Sequence, residues 1–220
     1  DDILITAGCN QAFFTAIIAL ARTGDEVILP LPYYFNHEMT LTGLGIRAVP
    51  LNCDADAGGV PDAADAARLI TPATRAIVLV TPNNPTGAVY PAATIRAFYE
   101  LSRARGIALM IDETYRDFLV GGARPHDLFE DPDWADTFVH LYSFSKVYAL
   151  TGYRVGAIAC GAALERAVTK VLDCVQISAP RIGQDAALYG LGHLDAFRTA
   201  KCALMAERAA ALRQAFATPG

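Results

Sequence analysis

The sequence predicts an α/β fold in which a mostly parallel sheet is covered by helices on both faces, giving three layers (α/β/α). The first observation is a set of uninterrupted apolar runs, such as AIVLV (76–80) and IALMID (107–112), which are typical of strands buried on both faces. The second is that these runs alternate along the chain with helix-like segments, as in parallel sheets connected by helices. Ligands of such sheets bind beyond the carboxyl ends of the strands, so the residues that follow each strand are the candidate site residues.

Strands and helices can be assigned in chain order. The predicted strands are ILIT (3–6), EVILP (26–30), IRAVPL (46–51), AIVLV (76–80), IALMID (107–112), FVHLYSF (138–144) and YRVGAIAC (153–160). The predicted helices run from about 11 to 22, after Tyr34, near 61–69, over 93–105, from about 162 and from 183. Pro91 stands where a proline suits the first turn of a helix, and Gly106 is a typical helix-ending residue.

Composition and charge argue against several classes of protein. The 220 residues are 53% hydrophobic and 19% charged, which indicates a globular domain with a sizeable core. A net charge of −5 without a basic cluster argues against a nucleic-acid partner, and the longest apolar stretch, 12–21, is too short to span a bilayer. The five cysteines are far apart and form no CxxC pair, so we expect reduced thiols, a cytoplasmic protein and no metal site.

The segment AGCNQA follows the first predicted strand and opens a helix. Gly8 permits a tight turn, after which Cys9 and Asn10 offer backbone N–H groups at the N-terminus of that helix. Such a terminus can bind a phosphate or another anion. Because many helices begin after a glycine, an ordinary helix start remains the alternative.

Three further strand ends carry aromatic or polar side chains. Tyr33 and Tyr34 follow EVILP, and either ring could pack in the core or form the flat wall of a pocket for a planar ligand. The turn TPNNPTG (81–87) is rigid enough to aim an asparagine amide, although it could be a turn and nothing more. Asp112 ends an apolar strand, where a carboxylate needs a partner, and Tyr115 supplies a phenol nearby.

The segment SFSKVYALTGYRVG (143–156) places two cations at strand ends. Lys146 follows one predicted strand, and Arg154 begins the next; both could be surface side chains with their charges in water. The alternative is a lysine that forms a covalent bond and an arginine that holds an anion. One ligand would use all of these strand ends: pyridoxal phosphate has an aldehyde, a phosphate, a planar ring, a basic ring nitrogen and a phenolic oxygen.

The segments GCNQA, NPTG, D-x-x-Y and S-x-S-K-x7-R, in this order, resemble the signatures of the class I/II aminotransferases. These are fold-type I pyridoxal-phosphate enzymes, and the resemblance covers nearly the whole chain. It implies that residues 1–220 are the large, cofactor-binding domain, and that the family's N-terminal arm and small C-terminal domain are absent from this chain. It further implies a homodimer that moves an amino group between an amino acid and a 2-oxo acid, with pyridoxal 5′-phosphate as cofactor.

The resemblance also assigns roles to single residues. Lys146 would bind the cofactor aldehyde covalently and move the substrate proton, and Asp112 would pair with the ring nitrogen. Asn84 and Tyr115 would bind the phenolic oxygen, and Tyr34 would stack on the ring. The catalytic residues would be Lys146, Asp112 and Tyr115. The phosphate would be held by Gly8, Cys9 and Asn10 of the first turn and by Ser143, Ser145 and Arg154.

Other residues and functions stay open at this point. His140 is expected to pack within its strand, His37 and Tyr33 are candidates for the substrate side, and Ser178 is a candidate to reach across a dimer interface. A lyase, decarboxylase or acyltransferase of the same fold would share the lysine and the aspartate. An aminotransferase-like sensor domain of a transcription regulator is a further alternative.

Overall fold

The computed structural model describes residues 2–119 and 124–217. The strands are β1 (Ile3–Thr6), β2 (Glu26–Pro30), β3 (Arg47–Leu51), β4 (Thr74–Val80), β5 (Ala108–Asp112), β6 (Phe138–Ser143) and β7 (Gly156–Ala159). The helices are α1 (Cys9–Leu20), α2 (Phe35–Gly43), α3 (Ala63–Leu69), α4 (Ala92–Arg105), α5 (Ala162–Val175), α6 (Arg181–His193) and α7 (Asp195–Ala217). Short 3₁₀ turns lie at Arg116–Phe118, Leu128–Glu130, Trp134–Asp136 and Thr151–Tyr153.

The seven strands form one sheet in the order β1-β7-β6-β5-β4-β2-β3. All pairs from β6 to β3 are parallel, whereas β7 is antiparallel to both β1 and β6. The connection from β6 to β7 contains no α-helix to carry the chain back across the sheet, so β7 returns in the opposite direction. The predicted α/β class with a mostly parallel sheet is confirmed.

The two faces of the sheet pack against different helices. Met110 faces the layer of α1, α2 and α5, where it joins Phe13 in one buried cluster. Its neighbour Ile111 faces α3 and α4, where it joins Phe98 in a second cluster. Because successive strand residues point to opposite faces, an unbroken apolar strand fills both layers at once. The three-layer arrangement follows from this pattern.

The end of the chain differs from the prediction of two closing helices. Helix α6 begins at Arg181, two residues before the predicted start, and a break at Leu194 separates it from α7. Gly190 and Gly192 weaken the helix near its end, and Asp195 supplies an acidic residue to the first turn of α7. Within residues 2–119 and 124–217, no helix is long and apolar enough to cross a membrane.

Candidate active site

A cavity of about 150 Å³ lies at the carboxyl ends of β4 and β5 and at the start of α1. It adjoins a second cavity, of about 770 Å³, which is bounded by α7. The predicted site residues that line the first cavity are Cys9, Asn10, Tyr34, Asn84, Asp112, Tyr115, Ser143, Ser145, Lys146 and Arg154. Val80, Thr114 and Thr151 line it as well and were missed by sequence reasoning. Strand ends that are distant in sequence therefore converge on one site, as the strand-end rule predicts.

The N-terminus of α1 and Arg154 form the cationic end of the cavity. Helix α1 begins after Gly8 (φ +86°), and within the described chain it has neither a side-chain cap nor an acidic residue in its first turn. Its first N–H groups are therefore available to an anion. Arg154 donates from Nη2 to the Ala7 carbonyl (3.2 Å) and from Nη1 to the Thr151 carbonyl (2.9 Å). A Cβ at position 8 would overlap the guanidinium, so Gly8 permits this close approach.

The Arg154→Lys variant should bind pyridoxal phosphate about tenfold more weakly than the parent. A lysine keeps the charge, but its ammonium cannot offer the paired, planar donors that bind two phosphate oxygens, nor replace both backbone contacts of Arg154. Cofactor titration followed by absorbance measures the effect. Arg181→Lys, at an exposed arginine of α6, is the matched control. Equal affinities in parent and Arg154→Lys would show that Arg154 does not bind the cofactor phosphate.

Gly156 on β7 supports the turn that carries Gly8. A Cβ at Gly156 would lie 2.7 Å from the Gly8 carbonyl carbon and 2.8 Å from Cys9 N, which is closer than real Cβ atoms approach backbone. Since these are backbone atoms of the turn that opens α1, they cannot move aside without displacing the turn itself. The glycine is therefore required by the packing of β7 against the start of α1.

Gly156→Ala should destabilise the fold by about 1–3 kcal/mol, the usual cost of overpacking, and weaken cofactor binding as well. Gly152→Ala is the matched control, because a Cβ there would meet open space. Denaturant unfolding and cofactor titration on both variants separate the two effects. An unchanged cofactor affinity in Gly156→Ala would show that the turn tolerates the displacement.

Asp112 is a buried, ionised carboxylate at the end of β5. The side chain is nearly inaccessible, its Oδ1 accepts a hydrogen bond from the Thr114 backbone N–H (3.0 Å), and its Oδ2 lies 3.5 Å from His37 Nε2. Burial acts to raise the pKa of Asp112, but the contacts with His37 and then Thr114 outweigh it and hold that pKa below its ordinary value. The site therefore presents a negative charge to whatever the cavity binds.

His37 contacts Asp112 and is not among the residues that line the first cavity. It is buried in the first turns of α2, stacks on Phe13 with ring centroids 4.0 Å apart, and meets the edge of Tyr34 at 5.3 Å. The apolar spacing around α2 gave no signal for this contact, because the partner carboxylate comes from β5. Tyr33 packs against the core outside the cavity, and Ser178 lies exposed after α5.

The Cys9 thiol and the Tyr115 phenol both remain protonated. Burial, followed by the charge of Asp112, raises the pKa of Cys9 well above its ordinary value. The same two causes raise the pKa of Tyr115. A neutral Cys9 thiol suits a small buried side chain, and a protonated Tyr115 is able to donate a hydrogen bond into the cavity.

Lys146 is carried by a turn that internal hydrogen bonds hold in place. The Ser145 backbone N–H donates to Ser143 Oγ (3.2 Å), and Thr151 Oγ1 donates to the Ser145 carbonyl (2.9 Å). The lysine is exposed, and its Nζ lies 5.7 Å from the centroid of the Tyr115 ring. The lysine and the phenol therefore share the open side of the cavity, while Asp112 lies in its depth.

Asn84 faces the cavity because its neighbour Asn83 holds the turn. Asn83 Oδ1 accepts from the backbone N–H and the hydroxyl of Thr86 (3.1 and 2.8 Å), and Asn83 Nδ2 donates to the Tyr90 hydroxyl (3.3 Å). Asn83 is buried and Asn84 is half-buried. Of the two asparagines in the sequence motif, Asn83 therefore stabilises the turn and Asn84 faces the cavity.

The arrangement fits pyridoxal phosphate on its own chemistry. One end offers free helix N–H groups and a guanidinium, with a glycine that leaves room between them. The depth offers an ionised carboxylate suited to a protonated ring nitrogen, and the mouth offers a primary amine beside a phenol. Within the described residues, no cluster of three or more His, Cys, Asp or Glu side chains is suited to a metal ion.

Several known proteins are similar to this chain in sequence. The sequence model of the family described as aminotransferase class I and II matches residues 1–218. The chain is 36% identical over 193 residues to an arginine–pyruvate transaminase of Pseudomonas aeruginosa, covering 87% of this chain and 48% of that protein. It is 33% identical over 199 residues to an aspartate/prephenate aminotransferase of Thermus thermophilus, covering 90% and 51% respectively.

Several solved structures of aminotransferases are also similar to this chain. An N-succinyldiaminopimelate aminotransferase from Mycobacterium tuberculosis superposes with a TM-score of 0.89 at 28% identity, covering 97% of this chain and 56% of that one. An aspartate aminotransferase from Rhizobium meliloti superposes with a TM-score of 0.88 at 29% identity, covering 94% and 52%. The chain spans about half the length of the curated relatives that it matches.

Proposed function

This chain belongs to the class I and II aminotransferase family, and from that premise we propose that it is the cofactor-binding large domain of a pyridoxal-phosphate-dependent transaminase. The observation that carries the proposal is the convergence of Lys146, Asp112 and Arg154 on one cavity at the strand ends. An amine, a buried carboxylate and an anion-binding turn are the three groups that this cofactor requires from a protein. We further propose a homodimer in the cytoplasm.

Each side chain has a task that follows from its surroundings. Asp112, ionised in the depth of the cavity, would accept a hydrogen bond from the ring nitrogen and favour its protonated form. Tyr115 and Asn84 would donate to the phenolic oxygen, and Tyr34 would cover one face of the ring. The phosphate would be held by the N–H groups of Cys9 and Asn10, by Arg154, and by the hydroxyls of Ser143 and Ser145.

Lys146 is the group that would move protons. When bound, pyridoxal phosphate supplies an aldehyde that takes up an amino group and a ring that accepts negative charge. The Lys146 amine would remove the proton from the substrate α-carbon as a general base, since it stands at the mouth of the cavity beside Tyr115. Thr151 and the two serines would keep the lysine turn rigid, so that the amine returns to the same place.

The test is amino-group transfer by the full-length protein loaded with pyridoxal phosphate. Arginine, aspartate, glutamate and aromatic amino acids are offered in turn with pyruvate or 2-oxoglutarate as acceptor. We expect one 2-oxo acid and one new amino acid to form in equal amounts. Release of ammonia or carbon dioxide without a new amino acid would instead indicate a lyase or a decarboxylase. Cofactor binding without any turnover would favour a sensor domain.

A further inference from the structure

Glu113 follows Asp112 directly but points to the other face of the sheet. Its side chain is completely buried, on the same face as Ile111, while Asp112 shares its face with Met110. Its backbone N–H donates to the Leu141 carbonyl (3.0 Å), which extends the pairing of β5 with β6. A buried carboxylate outside the cavity is costly unless it is fully paired, and the mechanism above does not use it.

Three side chains pair with the Glu113 carboxylate. Oε2 lies 2.7 Å from His140 Nε2 and accepts from Arg116 Nη1 at 2.9 Å, and Oε1 lies 3.3 Å from His126 Nε2. The partners come from the turn after β5, from the segment before the 3₁₀ turn at Leu128–Glu130, and from β6. One carboxylate therefore connects three segments that are separate in the sequence.

The protonation of this cluster follows from its hydrogen bonds. His126 Nδ1 accepts from the Leu128 backbone N–H (3.1 Å), so the proton of the neutral imidazole stands on Nε2, towards Glu113. Burial acts to raise the pKa of Glu113, but its contacts with His126 and His140 outweigh burial and hold the pKa well below its ordinary value. The carboxylate is thus ionised, with Arg116 as its permanent counter-charge.

The cluster is enclosed by aromatic rings. Phe138 meets the edge of His126 at 5.3 Å, and Phe129 meets the edge of His140 at 5.6 Å. In such surroundings, a lost acceptor leaves buried donors without partners, which is far more costly than at the surface. The position of Glu113 is therefore strongly determined, and with it the position of the backbone on either side.

We propose that Glu113 is a positioning residue that fixes the segment 112–118, so that Asp112 and Tyr115 keep their places in the cofactor cavity. Asp112 precedes Glu113, and Tyr115 lies between Glu113 and its partner Arg116, whose backbone N–H also donates to the Glu113 carbonyl (3.0 Å). The carboxylate acts from behind the sheet, without contact to the cavity. This inference rests on the proposed function, since it concerns the residues assigned to the cofactor.

The Glu113→Gln variant removes the negative charge of the side chain but keeps its size and shape. The carboxylate Oε1 lies 3.3 Å from His126 Nε2, and Oε2 accepts from Arg116 and lies 2.7 Å from His140 Nε2. A glutamine amide has one oxygen and an NH₂ group that cannot accept. One side of the cluster must therefore open. Glu130→Gln is the matched control, because Glu130 is an exposed glutamate in the neighbouring 3₁₀ turn, paired only with exposed Arg124 among the described residues.

Three measurements on the full-length protein test the proposal. In Glu113→Gln, we expect affinity for pyridoxal phosphate to fall about tenfold, as for residues coupled in one network. The pKa of the cofactor ring nitrogen, followed by absorbance, should fall, since a displaced Asp112 favours the protonated ring less. Without cofactor, backbone amides of 112–118 should exchange hydrogen faster than in the parent and in Glu130→Gln.

A double-mutant cycle with Asp112→Asn distinguishes positioning from general destabilisation. If Glu113 acts through Asp112, its effect on the absorbance transition should shrink towards zero in the Asp112→Asn background. If the negative charge of Glu113 acted directly on the cofactor, or if the variant were destabilised in general, the effects of the two substitutions would be additive. Additive effects would overturn the proposal. So would an unchanged affinity and transition in a folded Glu113→Gln variant.

A second variant keeps the proposal testable if Glu113→Gln does not fold. His140→Asn keeps the carboxylate and Arg116 and removes the imidazole of β6, with its contacts to both of them. It should produce the same shift of the absorbance transition to a smaller degree, and the parental transition in this variant would contradict the proposal. If the parent itself binds no pyridoxal phosphate, the proposed function fails first, and the positioning role fails with it.

Discussion

The Lys146→Ala variant should lose transaminase turnover by about 1,000-fold or more and should hold pyridoxal phosphate without a covalent link. Removal of a general base alone costs about 10²–10⁴ in rate, and the alanine also removes the amine that binds the aldehyde. Tyr115, Asp112 and Arg154 remain in place, because Lys146 is exposed and, within residues 2–119 and 124–217, its amine lies near the Tyr115 ring without a hydrogen bond to a buried group. Cofactor should therefore still bind, although more weakly. Single-turnover kinetics and absorbance spectra measure the two effects.

The covalent assignment can be checked independently, because the chain has only three lysines. Lys146 lines the cavity, whereas Lys170 on α5 and Lys201 on α7 are exposed outside it. Borohydride reduction followed by peptide mass spectrometry should place the cofactor on Lys146. Lys170→Ala is the control and should keep parental turnover. A reduced cofactor on Lys170 or Lys201 would show that the assignment to Lys146 is wrong.

The parts of the fold and the site that could be predicted are those that depend on local sequence. Each strand is marked by its own apolar run, and most candidate residues lie within a few residues after such a run, as Asp112 follows IALMI. The rule that ligands bind at the carboxyl ends of parallel strands then brings these residues together without any knowledge of distances. The α/β class and the place of the site were accessible in this way, whereas Ser143 and Ser145 were assigned through the resemblance, and Val80, Thr114 and Thr151 were missed.

The contacts that were missed depend on the tertiary structure. His37 belongs to α2 and reaches Asp112 across the layer between helix and sheet, and His126 reaches Glu113 from a segment with no strong periodicity. The direction of β7 depends on the path of the chain after Lys146, which the apolar pattern of the strand does not contain. The sequence shows that a buried charge needs a partner, but the tertiary packing determines which residue that partner is.

The Asp112→Asn variant should lose turnover by about 10- to 150-fold, which corresponds to the loss of one charge-assisted hydrogen bond of about 1.5–3 kcal/mol. Asparagine has the same size and can still accept from the Thr114 N–H, so the shape of the cavity is kept. It carries no charge, however, so it favours the protonated ring nitrogen far less than the ionised Asp112 does. We therefore expect turnover to fall much more than cofactor occupancy does. Steady-state kinetics at saturating cofactor, together with cofactor titration, measure the two quantities separately.

Two further variants, Asp173→Asn and His37→Ala, serve as comparisons for Asp112→Asn. Asp173 is exposed on α5, so its replacement removes the same charge without touching the cavity and should leave turnover unchanged. His37→Ala removes the imidazole 3.5 Å from Asp112 Oδ2 and should raise the pKa of the carboxyl, because burial would then be opposed by Thr114 alone. Its loss of turnover should therefore be largest at acid pH, where the carboxyl takes up a proton, and should diminish as the pH rises. Near-parental turnover in Asp112→Asn at every pH would mean that the ring nitrogen finds its partner elsewhere, and that the buried carboxylate serves only to hold α2 against the sheet.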